Sequence, residues 1–318
     1  ILPYEKKSNV KRTFAKDEIQ KAKQRAKEDG LEDCWEFFLP LKYPYISKTV
    51  FENSYFYPVC FSYFELENLD DIQARFHSML GLAEKIITFA GQIALSVIIK
   101  HAGIKIKDHV PIEKKKIGFG TWISVLKTFI ASDFQFKGVL SDFLHGFVRP
   151  ANLSRMEKFK NLRNDYAHPH REIPKIIAEK EFENFITDLK MLLLDFGRLC
   201  VDWDLVIPEV SPGSSMIKLL KLRGAKEYDF EKEERPLENL HELQYNNMPC
   251  LLHYREGEII SLYPFVLWEE CPHCFRNEIF IFIGFTHKGS TKYISFKDHI
   301  LEFDLGNKVS RKVMSYLT

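Results

Sequence analysis

The sequence predicts an α+β protein, an antiparallel helical bundle followed by a small antiparallel β-meander domain. Three observations carry this. Apolar residues recur at steps of three and four from Ile72 to Cys200. A segment with Pro208, Pro212, Gly213 and serines then interrupts the pattern. Beyond it the period shortens to runs rich in Ile, Phe, Tyr and Val, separated by short turns. The expected units are 1–70, a basic N-terminal helix and an aromatic extended arm; 71–205, the helical bundle; and 206–318, a β-rich region with a Cys-x2-Cys knuckle.

Each element has a local reason. Residues 15–29 are strong helix formers stopped by Gly30, with only Ile19, Ala22 and Ala26 as an apolar stripe, so this helix belongs on the surface. Residues 34–66 are aromatic and broken by Pro40, Pro44 and Pro58, which predicts extended segments or a short β-arm. From Ile72 to Ile98 the apolar positions mark one long helix, nearly buried over its second half. A basic loop follows, and Thr121 is the expected N-cap of the helix carrying Trp122, Val125, Leu126 and Phe129. Further helices are expected over 138–148, 152–168 and about Pro174 to Cys200. Strands are expected at 258–262, 265–268, 278–285, 292–296 and 300–303, with His287-Lys288-Gly289-Ser290 as a hairpin turn.

Composition narrows the function classes. With 318 residues, 45% hydrophobic and 28% charged, the chain is neither disordered nor fibrous. A formal net charge of +1 excludes a uniformly basic nucleic-acid sleeve. The charge is segregated: residues 1–27 carry +6, 100–116 carry +4 and 155–171 carry +3, leaving the rest acidic. Converging basic segments can hold a phosphate backbone, and solvated helix faces produce the same runs. Six scattered cysteines read as reduced thiols in a cytosolic, cytoplasmic protein rather than as a disulfide scaffold. The first thirty residues lack the apolar core of a signal peptide, and the longest uncharged run, Ile86–Ile99, is too short for a membrane span. The chain begins at Ile1 rather than Met, as a processed chain or a piece of a longer one does. There is no P-loop around Gly118-Phe-Gly120, no His-Glu-x-x-His, no nucleophile elbow and no paired-Asp nuclease motif.

The polar constellation lies at the end of the fourth bundle helix, Asn161-Leu162-Arg163-Asn164-Asp165-Tyr166-Ala167-His168-Pro169. Pro169 disfavours helical geometry at His168, which places the imidazole at a helix C-terminus, where its protonated form is favoured. On a regular helix Arg163 and His168 lie about 140° apart, so one helix presents them loosely. Two copies of the helix, antiparallel across a dimer interface, would gather two guanidinium groups and two imidazoles around one phosphate.

Arg163, Asn164 and His168, late in an amphipathic helix of a four- or five-helix bundle, resemble the signature of the HEPN superfamily over residues 72–200. The resemblance implies a composite active cleft in a homodimer and metal-independent endoribonuclease chemistry with no catalytic cofactor. His168 would move protons between the ribose 2′-OH and the leaving oxygen, Arg163 would hold the scissile phosphate and Asn164 would orient it. Lys114, Lys115, Lys116, His170 and Arg171 are candidate RNA-binding residues. By the same resemblance the chain would be a toxin or anti-phage defence effector with a regulatory or antitoxin partner. The alternative is a non-catalytic HEPN-like module for dimerisation or for binding nucleotide or RNA, its β-region recognising a partner. In that case Arg163 pairs with an acid, either Asp165 or one on a neighbouring helix, and His168 caps the helix end.

Cys271-Pro-His-Cys274 has the shape of half a zinc ribbon at a hairpin turn. Cys250 and His253 complete a four-ligand set in the spacing Cys-x2-His, a gap, Cys-x2-Cys, which suits structural zinc. An unmetallated knuckle, or a strand through Cys250 and His253, is the competing reading.

Overall fold

A computed structural model describes residues 16–28, 55–102, 117–131, 139–166, 173–211, 214–224, 230–236, 246–253, 255 and 257–317. These residues form a mixed α+β structure with eight helices and two antiparallel sheets. The helices before the sheets are α1 (Lys16–Glu28), α2 (Tyr57–Asn68), α3 (Ile72–Ala102), α4 (Phe119–Ala131), α5 (Val139–Phe147), α6 (Pro150–Tyr166) and α7 (Lys175–Asp202). The strands are β1 (Trp203–Val210), β2 (Met216–Lys221), β3 (Glu231–Pro236), β4 (Cys250–His253), β5 (Ile259–Ser261), β6 (Val266–Glu270), β7 (Asn277–Phe285), β8 (Thr291–Ser295) and β9 (Ile300–Phe303), followed by α8 (Lys308–Leu317).

The central element is α3, which packs against α2, α4, α6 and α7 on its helical sides and against β5 and β7 on another. By length and composition α3 is apolar enough to cross a membrane, but 89% of its most apolar stretch is covered by the rest of the protein. Its polar residues explain why it is a core helix. Buried Lys85 donates to the carbonyl of Phe296 (3.0 Å) and pairs with Asp298 (2.9 Å). Gln92 Nε2 donates to the Phe282 carbonyl (2.7 Å), and Lys100 Nζ to the Ile259 carbonyl (2.7 Å). Spaced seven and eight residues apart, these three lie along one stripe and satisfy carbonyls of the sheets. Aromatic contacts extend the same seam, Phe89 on Phe296 and Trp122 edge-on to Phe282. The main apolar core therefore runs from the bundle into both sheets, and a second, smaller cluster lies on the five-stranded sheet.

At Gly91 the crossing of α3 and α4 is close: a Cβ there would lie 3.0 Å from Trp122 Cε3 and 3.3 Å from Trp122 Cβ. Gly91→Val should therefore cost about 1–3 kcal/mol by overpacking, although glycine is a poor helix former. Chemical denaturation of the two proteins measures it.

Several expectations change. Residues 57–68 form α2 rather than an extended arm, because Pro58 sits in the first turn, where a missing N–H and a fixed φ favour a helix start. Just before it, Phe56 bridges Arg223, and Tyr57 N–H donates to the Leu222 carbonyl (2.8 Å), while residues 34–54 lie outside the described residues. Thr121 is not an N-cap; α4 begins at Phe119, and Thr121 Oγ1 accepts the Gly118 N–H (3.1 Å). The β-region is two sheets, a five-stranded one ordered β3-β2-β1-β4-β5 and a meander β6-β7-β8-β9. Strand β1 follows α7 directly and contains Pro208, read above as part of a boundary. The Pro208 carbonyl accepts Asn247 N–H (2.8 Å) beyond the end of the β4 ladder at Cys250, so the absent proline N–H removes no ladder bond.

The edge strand β3 reads Glu-Lys-Glu-Glu-Arg-Pro, and Glu233 accepts hydrogen bonds from Arg235 and Lys221 that hold its carboxyl below the usual range. The meander matches the last four predicted strands within a few residues, the first, 258–262, being β5 of the other sheet, and Gly289, at φ 86°, closes the β7–β8 turn. Helix α8, unanticipated, lays Tyr316 against Phe265 and joins Ser310 to Thr291. Residues 1–15, 29–54, 103–116 and 167–172 lie outside the described residues, and with them most of the basic N-terminal segment and the whole basic loop before α4.

Candidate functional sites

The last turn of α6 carries Arg163 and Asn164. Packing of Met156, Phe159 and Leu162 sets the rotation of the helix, burying that face and leaving Asn164 and Asp165 exposed. Tyr166 is half-buried, edge-on to Phe76 of α3 at 5.6 Å. Arg163 Nε donates to Glu84 Oε2 of α3 at 3.1 Å, and the arginine side chain is 41% exposed. Among the described residues its two terminal nitrogens have no partner. The pairing acid is thus on a neighbouring helix rather than Asp165. His168, His170 and Arg171 lie outside the described residues, as do Lys114, Lys115 and Lys116. The structure brings Arg163 and Asn164 to one helix end and describes neither the imidazole nor the lysine run.

The basic residues earlier on α6 are neutralised. Arg155 and Lys158 both reach Asp188 of α7, at 3.1 and 3.2 Å, while Glu157 takes Lys127 of α4 at 2.7 Å and also Lys160. Hydrogen bonds from Lys127 and Lys160 hold the Glu157 carboxyl below its usual range. Arg155, Lys158 and Arg163 of the positive run at 155–163 therefore tie helices together, and Lys160 is held within α6.

A second constellation gathers at one end of the meander. Between β6 and β7, Cys271 N–H donates to the Arg276 carbonyl (2.8 Å) and Phe275 N–H to the Cys271 carbonyl (2.9 Å). Phe275 takes a left-handed φ of 56°, with its ring 76% exposed. The backbone curls over the first sulfur, so that His273 N–H donates to Cys271 Sγ (3.4 Å). Glu278, one residue into β7 and 5% exposed, and His299, just before β9, face the same point. Ligand atoms of Cys271, Cys274, Glu278 and His299 all lie within 4.8 Å of one another, a group able to hold a metal ion. His299 Nδ1 is 3.2 Å from Cys271 Sγ and 3.0 Å from Glu278 Oε2, and Cys274 Sγ donates to Glu278 Oε1 at 3.2 Å.

Burial pushes the Glu278 carboxyl up, but hydrogen bonds from Cys274, Ser295 and His299 outweigh it and leave it below its usual range. Desolvation first, then the bond to Glu278, pushes the Cys274 thiol up to about 11.

Cys250 and His253 are not part of this group. Both are on β4, three residues apart, and an odd separation on a strand sends side chains to opposite faces. Cys250 packs with Val206, Ile217, Leu219 and Leu252 and donates to the Met248 carbonyl, while His253 lies edge-on to Trp203 at 5.0 Å. Glu278 and His299 take the places expected for them. The sequence signal for these two was weak, because one sits on β7 and the other in the β8–β9 turn, and they share no spacing motif with the knuckle. Glu84 was missed in the same way, 79 residues from the arginine it holds.

Comparison of the chain with family models, with curated proteins and with solved structures found no match.

Proposed function

We propose that the protein is a metal-independent endoribonuclease of HEPN type, acting through Arg163 and His168 of two copies that meet along α6. The observation that supports this is the way Glu84 holds Arg163. Because the carboxylate engages only Nε, the guanidinium plane is fixed and its terminal edge is left for a phosphate, whose oxygens suit paired N–H donors. Asn164, exposed one residue on, would orient that phosphate, and His168 would take the 2′-OH proton and return one to the leaving oxygen. Lys114, Lys115, Lys116, His170 and Arg171 would guide the RNA. A toxin or anti-phage effector in the cytoplasm fits such an activity, with the two sheets as the surface for a regulatory or antitoxin partner. A metal held by the chain would be structural.

The test is incubation of the purified protein with labelled tRNA and mRNA in Mg²⁺-free buffer with EDTA, and again with zinc restored. Cleavage leaving 2′,3′-cyclic phosphate ends, with DNA untouched, is expected in at least the second condition. Strict dependence on Mg²⁺ overturns the proposal.

A second reading is favoured by the ion pairs themselves. With Arg163, Arg155, Lys158 and Lys160 all engaged by acids, α6 is also suited to a non-catalytic bundle that joins copies of the chain or binds nucleotide. Absence of cleavage by a stable dimer selects this reading.

A further inference from the structure

The geometry points to a tetrahedral zinc-class site built from Cys271, Cys274, Glu278 and His299, independent of the RNA-cleavage reading. Two sulfurs, one imidazole nitrogen and one carboxylate oxygen form a borderline-soft donor set suited to zinc rather than to magnesium or calcium. A tetrahedron with arms of about 2.0–2.3 Å has edges of about 3.3–3.8 Å. Three of the donor pairs, at 3.0–3.2 Å, fall a few tenths short of this, and the whole set lies within 4.8 Å, so a modest side-chain adjustment admits an ion.

Two rival uses of the same residues fit less well. In a Cys-His-acid catalytic relay the thiol and the acid occupy different nitrogens of the imidazole. Here Cys271 and Glu278 both converge on Nδ1, which is the arrangement of donors around a common centre. Cys271 is also fully buried, closed to a substrate carbonyl. As a redox pair, the two cysteines leave unexplained why a nearly buried glutamate and a histidine face them.

Charge and outer contacts agree with the ion. Two thiolates and one carboxylate around a divalent cation leave one negative charge, and Lys297 Nζ lies 3.6 Å from Glu278 Oε1 to balance it. The hydrogen bond that His273 N–H donates to Cys271 Sγ stabilises a thiolate. Ser295 Oγ accepts the N–H groups of Lys297 and His299 and fixes the turn that delivers the histidine. Four protein ligands close the coordination sphere, so the ion is structural. Its place gives it a task. The turn bearing His299 also holds Phe296, whose carbonyl accepts Lys85 of α3 and Ser62 of α2, and Asp298, which pairs with Lys85. The ion would tie the β6–β7 knuckle to the turn through which the meander docks on the bundle.

The experiment is metal analysis of the full chain purified under reducing conditions, followed by replacement with Co²⁺. One equivalent of zinc is expected, with the visible bands of tetrahedral, thiolate-bound cobalt after exchange. Cys274→Ser and His299→Ala should weaken binding by more than the roughly 10–100-fold that loss of an outer-shell partner costs. Cys250→Ser and His253→Ala should retain the metal. Should the ligand variants fail to fold, chelation of the unaltered chain is the alternative: two thiols should become reactive as zinc leaves. A reduced, folded chain that neither carries nor takes up zinc overturns the proposal, as does metal loss in Cys250→Ser but not in Cys274→Ser.

Discussion

Replacing His168 with Ala is expected to slow RNA cleavage by about 10²–10⁴-fold, the usual contribution of a positioned general acid or base. The effect should fall on turnover rather than on RNA binding, because in the proposed mechanism the imidazole would move protons and Arg163 would hold the phosphate. An ordinary imidazole titrates at about pH 6.5, so a site using one neutral and one protonated histidine gives a bell-shaped rate profile near neutrality. The histidine variant should flatten that bell. Arg163→Ala should cost about 10²–10³-fold through lost stabilisation of the phosphorane charge. Glu84→Gln separates positioning from structure: the guanidinium keeps a hydrogen-bond acceptor but loses its ionic hold, so a smaller loss in turnover with an unchanged melting temperature is the expected result. Full RNA cleavage by His168→Ala would remove the Arg163/His168 mechanism.

Arg149→Ala should lower the stability of the fold by about 3 kcal/mol, because it strands a buried carboxylate. Asp195 of α7 is 1% exposed and is held by Arg149 just before α6, by Asn152 Nδ2 at 2.8 Å and by Arg198 at the longer distance of 3.9 Å. Asn152 also donates to the Phe147 carbonyl and accepts from Arg155, so the network joins the end of α5, the start of α6 and the middle of α7. Removing the arginine leaves one neutral donor and a distant cation. Arg149→Met combined with Asp195→Leu should recover most of the loss, since a buried pair replaced by apolar groups is often neutral or better. Urea denaturation of the three proteins measures both. Equal destabilisation in the single and double variants would mean that packing, not charge, sets the cost.

What the residues reveal on their own depends on how local the physics is. Helix α3 was legible because its apolar positions repeat over eight turns, and the meander because its strands alternate between good turn signals. Helix α2 was not, since aromatic residues and Pro58 suit either an arm or a helix start, and only docking on α3 decides between them. Strand β3 carries no apolar alternation at all, because it is a solvated edge. The candidate sites divide in the same way. The Cys271–Cys274 pair is encoded by one turn and could be read directly. Its partners Glu278 and His299 meet it only once β7, β8 and β9 are in register, and Cys250 and His253, offered by spacing alone, lie on the strand that was the competing reading. Arg163 stood out by its neighbours in sequence, whereas Glu84, which fixes its direction, is visible only through the packing of α3 on α6.

The margins of the five-stranded sheet have a consequence for how the protein behaves at high concentration. At one margin β3 presents glutamates, a lysine, an arginine and a terminal proline, and at the other β5 is three residues long with the Ile259 carbonyl already taken by Lys100. A neighbouring molecule seeking to extend the ladder would have to desolvate a row of charges on one side and would find too few open amides on the other. These two margins are thus poor templates for ladder growth by a neighbouring molecule.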